Sequence, residues 1–284
     1  MLQGQSSRSQ PALQFVYNKF MLLQLHIQAK TNLRKECFPM YKRDIYTIGE
    51  NTKIAKDVYY MTLFGDTSFI TAPGQFINIE LEGFYLRRPI SICDWDKEKI
   101  DIIYKVVGAG TEKMAAMQAG EKLDILTGLG NGFTINNETK APLVIGGGVG
   151  TPPMYNLAKQ LIQQGQKPTV ILGFTSKDDV FYEEEFKALG CDVYVTTNDG
   201  SYGTKGFVTD VIKNLSGYDY FYTCGPEPML KAISNATECS GQLSFEERMG
   251  CGFGGCMGCS CKTLTGYKRI CKEGPIMLKE EIIW

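Results

Sequence analysis

Between about Tyr41 and Asn137 apolar and polar positions alternate in short runs, DIYTIGE, DVYYMTLFG, QFINIEL, RRPISIC, KIDIIYKVV and KLDILTGLG, rich in β-branched and aromatic residues and separated by Gly, Pro, Asp and Lys. Such a period of two buries one face of a strand, and strands so closely spaced predict a small antiparallel barrel or sandwich. GTEKMAAMQAG, helix-forming and bounded by glycine, predicts one short helix among them. From about Lys140 the pattern changes. Apolar strands (APLVIGGG, PTVILGF, CDVYVTTND, YDYFYTCG) alternate with helical segments (TPPMYNLAKQLIQQG, DVFYEEEFKALG, GFVTDVIKNL, PEPMLKAISNAT), which predicts a parallel sheet with crossover helices. After about Cys239 the alternation stops and a Gly/Cys-rich segment follows, too small for a large apolar core, so a bound group must supply part of its organisation. The expected division is therefore 41–138, 139–238 and 239–284, a multidomain β plus α/β chain.

Residues 1–40 read differently: a polar start, then an apolar and basic stretch too short to cross a bilayer. A non-essential extension, with Met40 as a natural start, is expected there; a transit-like or membrane-surface helix is the alternative.

Charge narrows the function classes. Lys and Arg number 30 against 31 Asp and Glu, a net charge of -1 over 284 residues, so no overall positive field serves a nucleic acid or an anionic membrane. The single histidine, His26, lies far from every motif, which leaves little material for a Ser-His-Asp triad or a His-ligated zinc. Cysteine is the opposite case: of ten, five fall near the carboxyl end, and no secretory signal pattern precedes them. A reducing, cytoplasmic setting is expected, favouring metal or redox use over disulfides.

MGCGFGGCMGCSCKT with KRICKEGP spaces Cys251-x4-Cys256-x2-Cys259-x11-Cys271, the plant-type [2Fe-2S] arrangement. Backbone that wraps concentrated negative charge must turn N–H groups inward, which Gly250, Gly252, Gly254, Gly255 and Gly258 permit. Cys261 is surplus, a non-ligand or a substitute for Cys271. A four-cysteine zinc knuckle is the competing reading, although the glycine-rich x4 loop has no role there. Cys37, Cys93, Cys191 and Cys239 are read as small buried apolar groups.

LVIGGGVGTPPM is a strand, a glycine turn (Gly146, Gly147, Gly148, Gly150) and a helix start, where a pyrophosphate can approach the backbone. The spacing is not G-x-G-x-x-G, and no acidic ribose ligand is evident about twenty residues on. Ser176 and Lys177 are the candidates near the ribose, and one lysine is a thin basis for a 2′-phosphate site, so NAD(H) is expected over NADP(H).

LRRPISI, YKVVGAGT, VIGGGVGTPPM, YTCGPEPML and ERMGCGFGGCMGCSCKT…CKEGP occur here in the order found in the electron-transfer subunits of dihydroorotate dehydrogenase B, a family the chain resembles from about Met40 to Trp284. The resemblance implies a ferredoxin-reductase-like fold: an antiparallel β-barrel for FAD, a parallel-sheet nucleotide domain for NAD, and a small C-terminal [2Fe-2S] domain. It implies flavin contacts at Arg88, Pro89, Ile90 and Ser91, with Arg88 a cation for the FAD phosphate and Ser91 a hydroxyl for the flavin edge. A second flavin stretch falls on Ile103, Tyr104 and Lys105, a pyrophosphate contact on Gly110 and Thr111, and a nicotinamide-positioning group on Cys224. Glu247 and Arg248 face the flavin or, more simply, pair on the surface. The x11 spacing is short for a segment that often carries a longer hairpin, leaving that loop's shape open.

The implied function is transfer of electrons from an FMN-containing catalytic subunit, through the cluster and FAD, to NAD+ in pyrimidine biosynthesis, within a heterotetramer and with no nucleic-acid or membrane partner. No site for oxidising a pyrimidine is evident in this chain, so a partner is expected. The corresponding subunit of an NADH-dependent ferredoxin:NADP+ oxidoreductase or a sulfide dehydrogenase is the alternative, and a zinc-stabilised interaction module the alternative of another class.

Overall fold

In the computed structural model, which describes residues 41–284, the period-two runs become six strands: β1 (Lys42–Ala55), β2 (Val58–Phe64), β3 (Phe76–Ile79), β4 (Arg88–Trp95), β5 (Lys99–Lys105) and β6 (Lys122–Leu129). They close in the order β1-β2-β5-β4-β3-β6, which decides for a barrel over a sandwich. Its interior holds Tyr46, Met61, Leu63, Ile77, Ile79 and Ile102, and α1 (Ala109–Ala116) sends Met114 into the same core. The expectations for residues 1–40 and for Met40 lie outside the described residues.

β3 uses both of its faces. Ile77 and Ile79 point into the barrel, whereas Phe76 packs outward with Cys259, Ile270 and Cys271. Asn78, on that outward face, donates to the Cys251 carbonyl at 3.2 Å. On one edge β3 pairs with β4 in the register Phe76–Ser91, Ile77–Ile90, Asn78–Pro89 and Ile79–Arg88. Residues expected at the flavin thus lie one strand spacing, about 4.8 Å, from the strand against which the cysteine segment packs.

The second layer is a seven-stranded sheet ordered β10-β9-β8-β7-β11-β12-β15. Its strands are β7 (Pro142–Gly147), β8 (Thr169–Phe174), β9 (Asp192–Thr197), β10 (Thr204–Lys205), β11 (Tyr220–Cys224), β12 (Gly241–Ser244) and β15 (Ile276–Leu278). Its helices are α2 (Pro152–Gln163), α3 (Glu183–Ala188), α4 (Val208–Ile212) and α5 (Glu227–Ala236). All neighbours are parallel except β15, which runs antiparallel to β12. Chain order runs outward from β7 through β8 in one direction and through β11 in the other, so the carboxyl ends of β7 and β11 flank the crevice where ligands enter such sheets. β12 and β15 come from the segment after Cys239 and extend this sheet. Between them β13 (Ser260–Thr263) and β14 (Gly266–Arg269) form a hairpin, so the short x11 spacing still accommodates a complete two-stranded turn.

α2 fixes the sheet to the barrel. Its Asn156 donates to Asp94 of β4, and its Lys159 reaches the same carboxylate at 2.6 Å. With Asp94 largely shielded, each charged hydrogen bond is worth on the order of 1.5–3 kcal/mol. Val58, Cys93 and Ile103 of the barrel share one apolar core with Val144, Met154 and Leu157. Among the described residues no helix is long and apolar enough to cross a membrane.

Candidate functional site

Paired arginines at the start of β4 have separate tasks. Arg87 is bound to Glu80, to Asp124 and to the Asn78 and Asp124 carbonyls, which makes it structural. Arg88 has no carboxylate partner among the described residues; its guanidinium lies 4.7 Å from the Phe84 ring centre. A Cβ on Gly110 would lie 2.2 Å from its Nε, so the cation sits against the first turn of α1. Its Nη1 donates to the Leu86 carbonyl, whereas Nε and Nη2 lie against the helix start with no carboxylate, a donor set suited to a phosphate. Gly110 therefore has a steric reason to be glycine. The Thr111 hydroxyl accepts the Val107 N–H at 2.9 Å and donates to the Gly108 carbonyl at 2.9 Å, so it caps the helix, and what Thr111 can turn to a ligand is its backbone in the first turn.

In the second flavin stretch the side chains are engaged within the protein. Tyr104 is buried in the barrel, stacked on Tyr59, and its hydroxyl donates to Asn51 at 2.8 Å. Ile103 is buried in the core shared with the sheet, and Lys105 reaches Asp179 at 3.7 Å. With these side chains turned inward or paired, this stretch has chiefly its backbone to offer a flavin. Pro89, Ile90 and Ser91 are half-buried on β4.

At the sheet's crevice the glycines of the first βα turn meet the turn after β11. A Cβ on Gly150 would lie 2.3 Å from the Cys224 carbonyl oxygen, and one on Gly147 2.4 Å from the Met229 sulfur. On Gly146 it would lie 2.7 Å from Thr151 Cα. Only Gly148, at φ +52°, has open space on that side. Three of the four glycines thus serve packing, and Gly148 presents the free backbone. Ser176, just past β8, donates to Asp179 at 2.9 Å, and Lys177 is exposed with its N–H on Ser201 Oγ at 2.8 Å.

Cys224 ends β11 opposite Gly146 on β7 and Ser244 on β12. Burial pushes its thiol up to about 12, despite a hydrogen bond with Ser244. It stays protonated at neutral pH. Alkylation of Cys224 by iodoacetamide at pH 8 is expected to be on the order of a hundredfold slower than that of a free thiol, allowing for the greater nucleophilicity of a high-pKa thiolate. Peptide mapping by mass spectrometry checks this, and prompt labelling would contradict it.

The four motif cysteines come together as two pairs. Cys259 and Cys271 sulfurs stand 3.3 Å apart, buried among Phe76, Leu126 and Leu129. Cys251 and Cys256 hydrogen bond to each other on the outer side, with Cys256 exposed. Among the described residues no three or more His, Cys, Asp or Glu side chains close on a single ion position. Two sulfur pairs can each serve one iron of a two-iron centre.

Backbone N–H groups aim at these sulfurs: Gly254 at Cys271 (3.1 Å), Gly255 at Cys251 (3.2 Å), Cys256 at Cys251 (3.4 Å), Gly258 at Cys256 (3.4 Å) and Cys271 at Cys259 (3.5 Å). Burial alone would raise Cys251, but N–H donors from Cys256, Phe253 and Gly255 outweigh it and hold the thiol at about 6. Burial and the adjacent Cys259 push Cys271 up to about 12, so that pair becomes two thiolates only around a cation. The donor set therefore fits a [2Fe-2S] cluster. Gly252 is required twice, by its φ of +78° and by Asn78, whose Nδ2 would lie 2.2 Å from a Cβ there.

Cys261 lies on β13 with its sulfur 3.9 Å from Met277 Sδ, outside this set of N–H donors. Glu247 and Arg248 are both exposed, and among the described residues no ion pair joins them. Sequence reasoning overlooked Asn78, the residue that ties the cysteine loop to the barrel; a lone Asn in the apolar run QFINIEL was the available signal.

Comparison with known proteins adds three findings. Residues 246–283 match the family model "Iron-sulfur cluster binding domain of dihydroorotate dehydrogenase B", and residues 144–235 match "Oxidoreductase NAD-binding domain". The dihydroorotate dehydrogenase B (NAD(+)) electron transfer subunit of Fusobacterium nucleatum subsp. nucleatum is 47% identical over 251 residues, covering 83% of this chain and 96% of that one. That of Shouchella clausii is 43% identical over 256 residues, covering 85% and 98%. Among solved structures, an NADH-dependent reduced ferredoxin-NADP oxidoreductase superposes with a TM-score of 0.78 at 30% identity, covering 85% of this chain and 90% of that one. Phthalate dioxygenase reductase shares the fold at a TM-score of 0.56 and 20% identity, covering 68% and 64%.

Proposed function

The chain belongs to the family of dihydroorotate dehydrogenase B electron-transfer subunits, and from that premise we propose that it carries electrons from an FMN-containing catalytic partner, which oxidises dihydroorotate, to NAD+. FAD, when bound, exchanges a hydride with nicotinamide and single electrons with a [2Fe-2S] cluster. The chain's own residues arrange these groups. Arg88 and the start of α1 at Gly110 hold the FAD phosphates, Pro89, Ile90 and Ser91 line the flavin, and the backbone of Ile103–Lys105 supports it. Gly146, Gly147, Gly148 and Gly150 shape the NAD crevice, with Cys224 protonated beside it. Cys251, Cys256, Cys259 and Cys271 hold the cluster, and the apolar wall of Phe76, Leu126 and Leu129 keeps water from the inner pair.

We assign residues 41–138 to the flavin barrel, 139–238 to the nucleotide unit and 239–284 to the cluster segment, and a cytoplasmic heterotetramer of two copies of each subunit to the assembly. The observation that carries the reading is the position of β3, paired to the Arg88–Ser91 strand on one edge and packed against the cysteine segment on its outward face. The ferredoxin oxidoreductase reading has the weaker support, 30% identity against 47%.

Anaerobic co-purification with the FMN subunit, followed by a dihydroorotate-to-NAD+ assay, tests the proposal. The assembled complex should reduce NAD+ with dihydroorotate at least tenfold faster than the partner alone. Equal rates would overturn it.

A further inference from the structure

Arg269, at the end of β14, is anchored by Glu273: Nε donates to the carboxylate at 2.8 Å, the other arm of the fork bonds the second oxygen, and the Arg269 N–H adds a bond at 2.9 Å. The remaining nitrogen, Nη1, donates to the Gly254 carbonyl at 2.6 Å, fifteen residues back in the cysteine loop. That carbonyl belongs to the same peptide group as the Gly255 N–H, which donates to Cys251 Sγ at 3.2 Å. The Gly254 N–H, in the preceding peptide, donates to Cys271 Sγ at 3.1 Å. One guanidinium therefore grips the loop between a sulfur of the outer pair and a sulfur of the inner pair.

We propose that Arg269 is a positioning residue that raises the reduction potential of the [2Fe-2S] cluster through the Gly254–Gly255 peptide. The inference rests on the cluster assignment above. A cation on a carbonyl polarises the whole amide, making its N–H a stronger donor, and hydrogen bonds in series reinforce one another. Hydrogen bonds to cluster sulfurs and nearby charge are among the determinants of such potentials. Reduction adds one electron and no proton to a centre that is already negative, so a fixed positive charge and a strengthened N–H favour the reduced form. Glu273 tempers the effect by balancing part of that charge while fixing the direction of the fork. Lys268, a neighbour on β14, points its charge at Glu281 and has no such route.

The test is a potentiometric titration of the cluster, followed by electron paramagnetic resonance, in the FAD-loaded chain with its partner, beside iron and acid-labile sulfide analysis. Arg269→Gln is expected to keep its iron and to lower the midpoint by about 59 mV, a tenfold change in the one-electron equilibrium. Arg269→Lys should fall between Arg269→Gln and wild type, and Glu273→Gln should move the midpoint upward. Lys268→Gln should lie near wild type.

An assembled Arg269→Gln cluster at the wild-type midpoint would overturn the proposal, as would Lys268→Gln lowering it equally. If Arg269→Gln fails to assemble, Glu273→Gln decides: an upward shift supports the route and no shift overturns it. Wild-type protein without acid-labile sulfide would instead bring down the cluster assignment itself.

Discussion

Serine in place of Cys271 should strip the protein of its iron and acid-labile sulfide by at least tenfold and lower dihydroorotate-to-NAD+ transfer in the complex by at least a hundredfold. NADH oxidation by a flavin-reactive dye should stay within about twofold of wild type. Cys271 is buried, in contact with Cys259, and takes the Gly254 N–H. A serine there has no thiolate to give and leaves a hydroxyl in apolar surroundings, at a desolvation cost of about 1–3 kcal/mol. The decisive companion is Cys261→Ser. Its sulfur faces Met277, so it should keep full iron content. Full iron in the first variant and loss in the second would transfer the fourth ligand to Cys261.

Alanine at position 150 should raise the KM for NADH at least tenfold and destabilise the chain by about 1–3 kcal/mol, the usual cost of overpacking. The new methyl would meet the Cys224 carbonyl and the Gly225 nitrogen, backbone atoms that yield only by shifting the end of β11. The flavin spectrum should not change, because the new methyl meets only atoms of the turn after β11. Alanine at 148 makes an instructive contrast. It meets nothing, and its φ of +52° costs about 1–2 kcal/mol for a residue with a Cβ. If Gly148 is the face that the nucleotide approaches, its KM effect should exceed its stability effect. Steady-state kinetics beside thermal melting separates the two, and an unchanged KM in both variants would remove the nucleotide from this crevice.

The barrel and the parallel sheet could be read from periodicity because each strand there has one clear environment: a period of two in the barrel, continuous apolar runs in the sheet. β12 and β15 could not. The first is buried along its whole length and the second nearly so, and both are shorter than the window in which periodicity declares itself. The cluster segment was legible because x4 and x2 spacing is dictated by the centre the loop must wrap.

Side-chain direction was not legible. Motif order placed Tyr104 and Thr111 near the cofactor but could not say where their hydroxyls go, which is to Asn51 in one case and to a helix cap in the other. Glycine identity was ambiguous for the same reason. A glycine spared for a phosphate and one spared for a neighbouring turn look alike in sequence, and only the contacts of Gly147 and Gly150 with the β11 turn tell them apart. Asp94, Asn156 and Lys159 lie too far apart along the chain for any local pattern to join them.

β3 has a bearing on kinetics. Where two redox modules meet through a hinge, tumbling or rearrangement can throttle the current between them. On the reading proposed above the spacer is a single strand, hydrogen bonded to β4 on one edge and packed against the cysteine segment on its outward face, so its thickness is set by strand geometry. Because the cysteine segment also extends the α/β sheet through β12 and β15, sheet and barrel together hold both ends of the proposed hop, and a slow conformational step is expected at the ends of the wire, where nicotinamide leaves or the companion subunit engages.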